Sequence, residues 1–176
     1  NVAFGPRALY SNTTASANIG VGYQALYLNS TGNNNTAVGN YALYTNSTGS
    51  YNTAAGGLAL SSACTGTDNA AFGTSALASN TSGSYNTALG YEAAGAVGSA
   101  AEVTAIGFRA LQLNTTYSGT AVGSQSLYNN TTGAYNVAVG YQSMFSNTYG
   151  QYNVALGFNA LYTNTTGTYN TAVGYN

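Results

Sequence analysis

Charge is nearly missing from this chain of 176 residues. Its five charged side chains are Arg7, Asp68, Glu92, Glu102 and Arg109, or 3% of the sequence. Ordinary domains carry about 25%. A net charge of −1 excludes the clustered Lys and Arg that nucleic acid demands. There is no His, so no Ser-His or Cys-His nucleophile can be assembled within the chain. A carboxylate pair for glycoside cleavage would have to come from Asp68, Glu92 and Glu102. A solvated pair is the simpler reading of any approach between Glu92 and Glu102. Scattered acids and one Cys make a poor metal site, and no Gly-Lys-Ser/Thr marks a phosphate loop. No enzyme activity and no cofactor are therefore expected. The lone Cys64 excludes a disulfide framework and reads as a small core filler. No apolar run reaches the roughly 18 residues of a membrane span, so no membrane insertion is expected.

Disorder is a possible reading of so much Gly, Ser and Asn. Against it stand 44% hydrophobic residues and 17 Tyr that recur in register. The register is a repeat. Units start at Asn1, Asn18, Asn35, Asn52, Asn69, Asn86, Val103, Gly119, Asn136, Asn153 and Asn170. Every interval is 17 residues except the 16 from Val103 to Gly119. Ten units and the first seven residues of an eleventh fill residues 1–176, read as one repeat array. No signal-peptide pattern stands at residue 1. The expectation is a segment of a longer array, with any targeting signal outside it.

Within a unit, position 1 is usually Asn, position 2 is Thr, Val, Ile or Ala, and position 3 is Ala except at Gly20. Position 4 is always apolar. Position 5 is Gly throughout: Gly5, Gly22, Gly39, Gly56, Gly73, Gly90, Gly107, Gly123, Gly140, Gly157 and Gly174. Positions 8 and 9 tend to Ala-Leu, position 10 to Tyr, and positions 12–15 to Asn-Thr/Ser-Thr-Gly. Alternation over positions 1–4 predicts a short strand. The invariant Gly marks a bend, or an approach too close for a side chain. Positions 8–11 read as a second short strand, and Asn-Thr-Thr-Gly as turn chemistry. Helical repeats would need longer apolar stretches at 3.6 spacing.

The expected fold is all-β: a parallel β-solenoid or β-roll of about ten 17-residue coils, rising ~4.8 Å per coil into a rod roughly 48 Å long. Identical residues then form ladders: Asn at position 1, apolar at 4, Leu at 9, Tyr at 10. Positions 2 and 4 make one face of the strand and position 3 the other. One set fills the thin coil. The other is small and uncharged, as packing against a second chain would require, so self-association is expected.

Residues 94–103 break the pattern, and Glu92, Glu102 and Arg109 gather nearby. A tolerated loop change or kink is the plain reading; a specialised contact site is the sharper one. Asn-x-Ser/Thr triplets recur at Asn12, Asn29, Asn46, Asn80, Asn114, Asn130 and Asn164, all at position 12, and also at Asn34 and Asn129. Turn formation is the favoured reading, and glycosylation at a surface turn is the alternative. Tyr rows could stack on sugar rings, although solenoid packing also accounts for them.

The copies Asn35-Thr36-Ala37-Val38-Gly39 and Asn170-Thr171-Ala172-Val173-Gly174 resemble the repeat arrays of phage tail-fibre proteins. They are also similar to the head repeats of YadA-like trimeric autotransporter adhesins. Those head repeats are shorter than 17 residues and less rich in Asn-Thr-Thr-Gly, which favours the phage type. The resemblance implies a left-handed roll assembled as a homotrimer. It further implies a structural shaft of a virion tail fibre that supports host attachment. The alternative is an extracellular or cell-surface adhesin that binds glycans directly.

Overall fold

The computed structural model describes residues 1–62 and 64–176. Each unit contributes one three-residue strand at positions 2–4: β1 (Val2–Phe4), β2 (Ile19–Val21), β3 (Thr36–Val38), β4 (Thr53–Ala55), β5 (Ala70–Phe72) and β6 (Thr87–Leu89), then β7 (Thr104–Ile106), β8 (Thr120–Val122), β9 (Val137–Val139), β10 (Val154–Leu156) and β11 (Thr171–Val173). All pair in sequence order into a single parallel sheet of 11 strands. The chain is a β-solenoid of about ten turns. Small Ala at position 3 points inward and lets successive turns close tightly. Bulkier residues at positions 2 and 4 point out.

Pairing is in unit register throughout, for example Thr36↔Thr53 and Val137↔Val154. The short unit does not disturb it, since Thr104 pairs with Thr120. The missing residue is absorbed in the turn after Asn114, so the sheet runs through the irregular stretch without interruption.

The second predicted strand, at positions 8–11, is not there. Those residues form turns closed by bonds such as Ala25 N–H to the Gly22 carbonyl (3.4 Å) and Asn29 N–H to the Leu26 carbonyl (3.3 Å). The reason is backbone sign. Positions 7, 9 and 17 adopt positive φ in the units they occupy, as at Tyr41 (58°), Leu43 (50°) and Tyr51 (59°). Left-handed backbone costs an L-residue roughly 1–2 kcal/mol. It also turns the N–H along the rod. Tyr41 N–H reaches the Tyr23 carbonyl of the preceding coil at 2.9 Å, Leu43 N–H the Ala59 carbonyl of the following coil at 2.9 Å, and Tyr51 N–H the Asn33 carbonyl at 3.0 Å. The corners are thus hydrogen-bonded from coil to coil much as the strands are, which offsets the strain.

The interior is one continuous column. Leu26, Leu43, Leu60, Leu77, Leu111, Leu127 and Met144 stack at position 9, with Ala or Ser at position 8 and Ala at position 3. The Leu ladder expected at position 9 is present, with Ala94 as its one small member, whereas the position-10 aromatic ladder exists only as two stacks, Tyr10–Tyr27–Tyr44 and Tyr128–Phe145–Tyr162, separated by Ser61, Ala78, Gly95 and Gln112.

Candidate functional site

Two buried ladders of asparagine run along the column, each with a gap or two. At position 1 each amide does two jobs. Asn35 Nδ2 donates to the Gly49 carbonyl of its own coil at 2.8 Å, and Asn35 Oδ1 accepts from the Asn52 N–H of the next at 2.9 Å. The pattern repeats at Asn18, Asn69, Asn86, Asn136 and Asn153. At position 12, Asn147 Nδ2 donates to Asn130 Oδ1 (2.8 Å) and to the Gly150 carbonyl (3.0 Å). A buried amide needs such partners, and each coil supplies those of the next.

The position-12 asparagines include the possible glycosylation sites, and their setting argues against that alternative. Asn29, Asn46, Asn80, Asn114 and Asn130 are buried, and Nδ2, the atom a glycan would take, donates inside the coil. Asn12 and Asn164, in terminal coils, are half-buried and bonded the same way. These asparagines close their own turns through Nδ2, and their side chains are interior rungs at the same time.

The position-5 glycines need both of the properties their invariance suggested. Their φ lies between 130° and 138°, a region essentially reserved for Gly. A Cβ on Gly107 would also stand 2.6 Å from the Gly123 carbonyl oxygen.

The ladders lapse in two places. In the unit starting at Asn52, position 12 is Ala63, which lies outside the described residues. Cys64, one residue on, takes the role of the amide. Its Sγ accepts from Asn80 Nδ2 at 3.9 Å and donates to the Gly66 carbonyl at 3.6 Å. Burial pushes its thiol up to about 11. The core-filler reading of Cys64 missed this polar function.

The second lapse is the irregular stretch, where Val97 stands for Asn at position 12 and Val103 and then Gly119 at position 1; both valines are fully buried. Neighbouring amides are rehoused: Asn80 Oδ1 accepts from Gly83 N–H at 3.0 Å, and Asn114 Nδ2 donates to the Thr116 carbonyl at 2.7 Å. Outside this plug, Arg109 Nε and Gln112 Nε2 both donate to Glu92 Oε2, at 2.8 and 2.7 Å. The guanidinium lies 5.1 Å from the Phe108 ring centre. The Tyr91 hydroxyl, Arg109 and Gln112 hold the Glu92 carboxyl below its ordinary range, against a smaller opposing effect of desolvation. Of the three charges the sequence groups, the structure joins Glu92 and Arg109. Glu102, at position 17, instead accepts from Ser118 Oγ at 3.1 Å. No group of three or more His, Cys, Asp or Glu side chains placed to hold a metal occurs among the described residues. Nor does any helix long and apolar enough to cross a membrane.

Aromatic rows line the outside. Tyr135–Tyr152–Tyr169, Tyr141–Phe158–Tyr175 and Tyr128–Phe145–Tyr162 stack from coil to coil with centroids 5.1–5.3 Å apart. Their faces cover one another, leaving mainly the ring edges and hydroxyls to solvent.

Comparison of the chain with family models, with curated proteins and with solved structures finds no match.

Proposed function

We propose that this chain is a structural shaft, of the kind found in phage tail fibres, that spaces a host-attachment tip from its base. In this reading it is a homotrimer of left-handed rolls, located in the virion or outside the cell, and it performs no catalysis. The observation that supports it is the unbroken unit register of all eleven strands, from Val2↔Ile19 to Val154↔Thr171. Because every coil adds the same rise, length scales with coil number, which is what a spacer needs. Electron micrographs of arrays with added or deleted coils test this. The rod should lengthen by ~4.8 Å per coil. A compact particle of constant length would defeat it.

The adhesive alternative is favoured by the exposed phenol edges of the Tyr rows, such as Tyr135 and Tyr169. Because ring faces within a row stack on each other, a sugar would meet edges and hydroxyls. Binding of the isolated array to immobilised glycans, lost on Tyr152→Ala, would favour adhesion over spacing.

A further inference from the structure

The junctions between successive coils are not equally held. Aromatic pairs cross many of them, from Tyr10–Tyr27 at one end to Phe158–Tyr175 at the other. Among the described residues none crosses from the coil starting at Asn35 to the coil starting at Asn52. Positions 6, 10 and 17 pass there from Asn40, Tyr44 and Tyr51 to Gly57, Ser61 and Asp68. The position-12 ladder fails at the same junction. Each Oδ1 of that ladder faces the following coil, as Asn29 Oδ1 does in accepting from Asn46 Nδ2. Asn46 Oδ1 therefore faces the coil of Cys64, fully buried and without a partner. The backbone bonds are longer here too. Thr45 N–H to the Ser61 carbonyl and Ser47 N–H to the Cys64 carbonyl are both 3.3 Å, against 3.1 and 2.9 Å for the equivalent bonds from Ser146 and Thr148. The junction between the coils of Asn69 and Asn86 also lacks a stack and a rung, but there Asn80 Oδ1 is satisfied by Gly83 N–H.

Cys64 is itself out of place. Its counterparts at position 13 include Thr81 and Thr115, which are exposed and donate through their hydroxyls to the next coil's carbonyl. Cys64 instead turns inward, fully buried, on bonds of 3.6 and 3.9 Å. An outward seat like that of Thr81 is the alternative place for its side chain. We propose that this junction opens at the corner around Asn46 while its sheet stays paired, and that opening swings Cys64 outward as a thiol that exchanges with disulfides. The strand pairing Thr36↔Thr53 and the bond from Asn52 N–H to Asn35 Oδ1 hold the other side. Opening gives Asn46 Oδ1 to water, so the acceptor that lacks a partner in the closed coil gains one. In the exchange the outward thiol releases its proton and attacks one sulfur of the disulfide. A new S–S bond forms to Sγ and the old one breaks; the leaving thiolate keeps the electron pair and takes up the proton. The proposal does not depend on the shaft reading.

Dithionitrobenzoate, an aromatic disulfide that releases a coloured thiolate, tests this on the native chain. The comparison is a cysteine placed in the regular coils, Ser143→Cys in a Cys64→Ala background. Ser143 is as fully buried as Cys64, and three aromatic stacks join its coil to the next. With each rate divided by that of the same chain in denaturant, Cys64 should react faster by on the order of 10-fold or more. Ser126→Cys, equally buried, replaces the comparison should circular dichroism show the first variant unfolded. Ser61→Tyr, which extends the Tyr10–Tyr27–Tyr44 stack across the junction, should slow Cys64 and leave Ser143→Cys unchanged. Cys64 reacting no faster than the comparison cysteine would overturn the opening. Fast reaction undiminished by Ser61→Tyr would overturn its place at this junction.

Discussion

The coils from Asn136 to Tyr169 and the stretch from Ala94 to Ser118 meet the same packing demand by different chemistry. In the first, Asn136, Asn147 and Asn153 run the polar ladders through the interior. In the second, Val97 and Val103 close the same space with apolar side chains, and the adjacent amides find partners within their own turns. A buried donor left alone costs about 1–3 kcal/mol, whereas removing a reciprocal set together is close to neutral. The ladder is therefore replaceable in blocks and fragile rung by rung. What does not change between the two regions is Gly at position 5, with φ of 133° at Gly107 and 137° at Gly140.

That constancy gives the largest expected effect. Gly107→Ala and Gly140→Ala should each destabilise by more than ~3 kcal/mol, because a Cβ meets both a forbidden φ and the next coil's carbonyl. Thermal melts should rank both well below Thr132→Val. If either glycine variant melts above Thr132→Val, the bend after the strand is wrongly placed.

The next effect separates the regions. Asn147→Val removes the partner of Asn130 Oδ1 and one acceptor for Asn164 Nδ2, and should cost about 2–4 kcal/mol. Val97→Asn should cost less than ~1 kcal/mol, since Asn80 and Asn114 stand on either side to rebuild the ladder. Denaturant midpoints of the pair decide it. Equal losses would mean that the valine plug is a specialised core and no substitute for the ladder.

A smaller effect should be common to both regions. Positions 7, 9 and 17 hold positive φ, and a β-branched residue there should cost ~1–2 kcal/mol. Tyr152→Val should therefore melt below Tyr152→Asn, although both lose the same aromatic stack, and Glu102→Val below Glu102→Asn. Were Val tolerated as well as Asn, the corner strain would have to be relieved in some other way.

The signal for those corners was in the sequence. No Val, Ile or Thr occupies position 7, 9 or 17 anywhere, while Thr and Val dominate position 2. The Ala-Leu-Tyr run reads as a strand when only its apolar character is weighed; the missing β-branched residues mark it as a corner. The period, the Gly bend, a strand within positions 1–4 and the Leu column were legible because alternation and invariance report on one coil at a time; the strand itself spans positions 2–4, with position 1 given to the Asn ladder. The interior role of Asn29 or Asn147 was not. An Asn-Thr pair looks alike in a surface turn and in a ladder, and the partners that distinguish them sit 17 residues away. Cys64 was harder still, since it serves as a rung from the neighbouring position.

The smallest expected effect belongs to charge and confines itself to the irregular stretch. Glu92 has its carboxyl pKa lowered in the folded chain by the Tyr91 hydroxyl, Arg109 and Gln112. A lowered folded pKa means that the unfolded chain binds the proton first, so the contribution is complete above the ordinary carboxylate value of 4.5 and is lost as pH falls below it. With no His, the melting temperature should be nearly flat from pH 5 to pH 8 and should drop only below about pH 4.5. Glu92→Gln should blunt that acid drop, and the size of the drop should shrink in high salt because the ion pair is partly exposed. Deleting acid sensitivity by Asp68→Asn instead would place the titrating group in the regular coils and remove charge from the difference between the two regions.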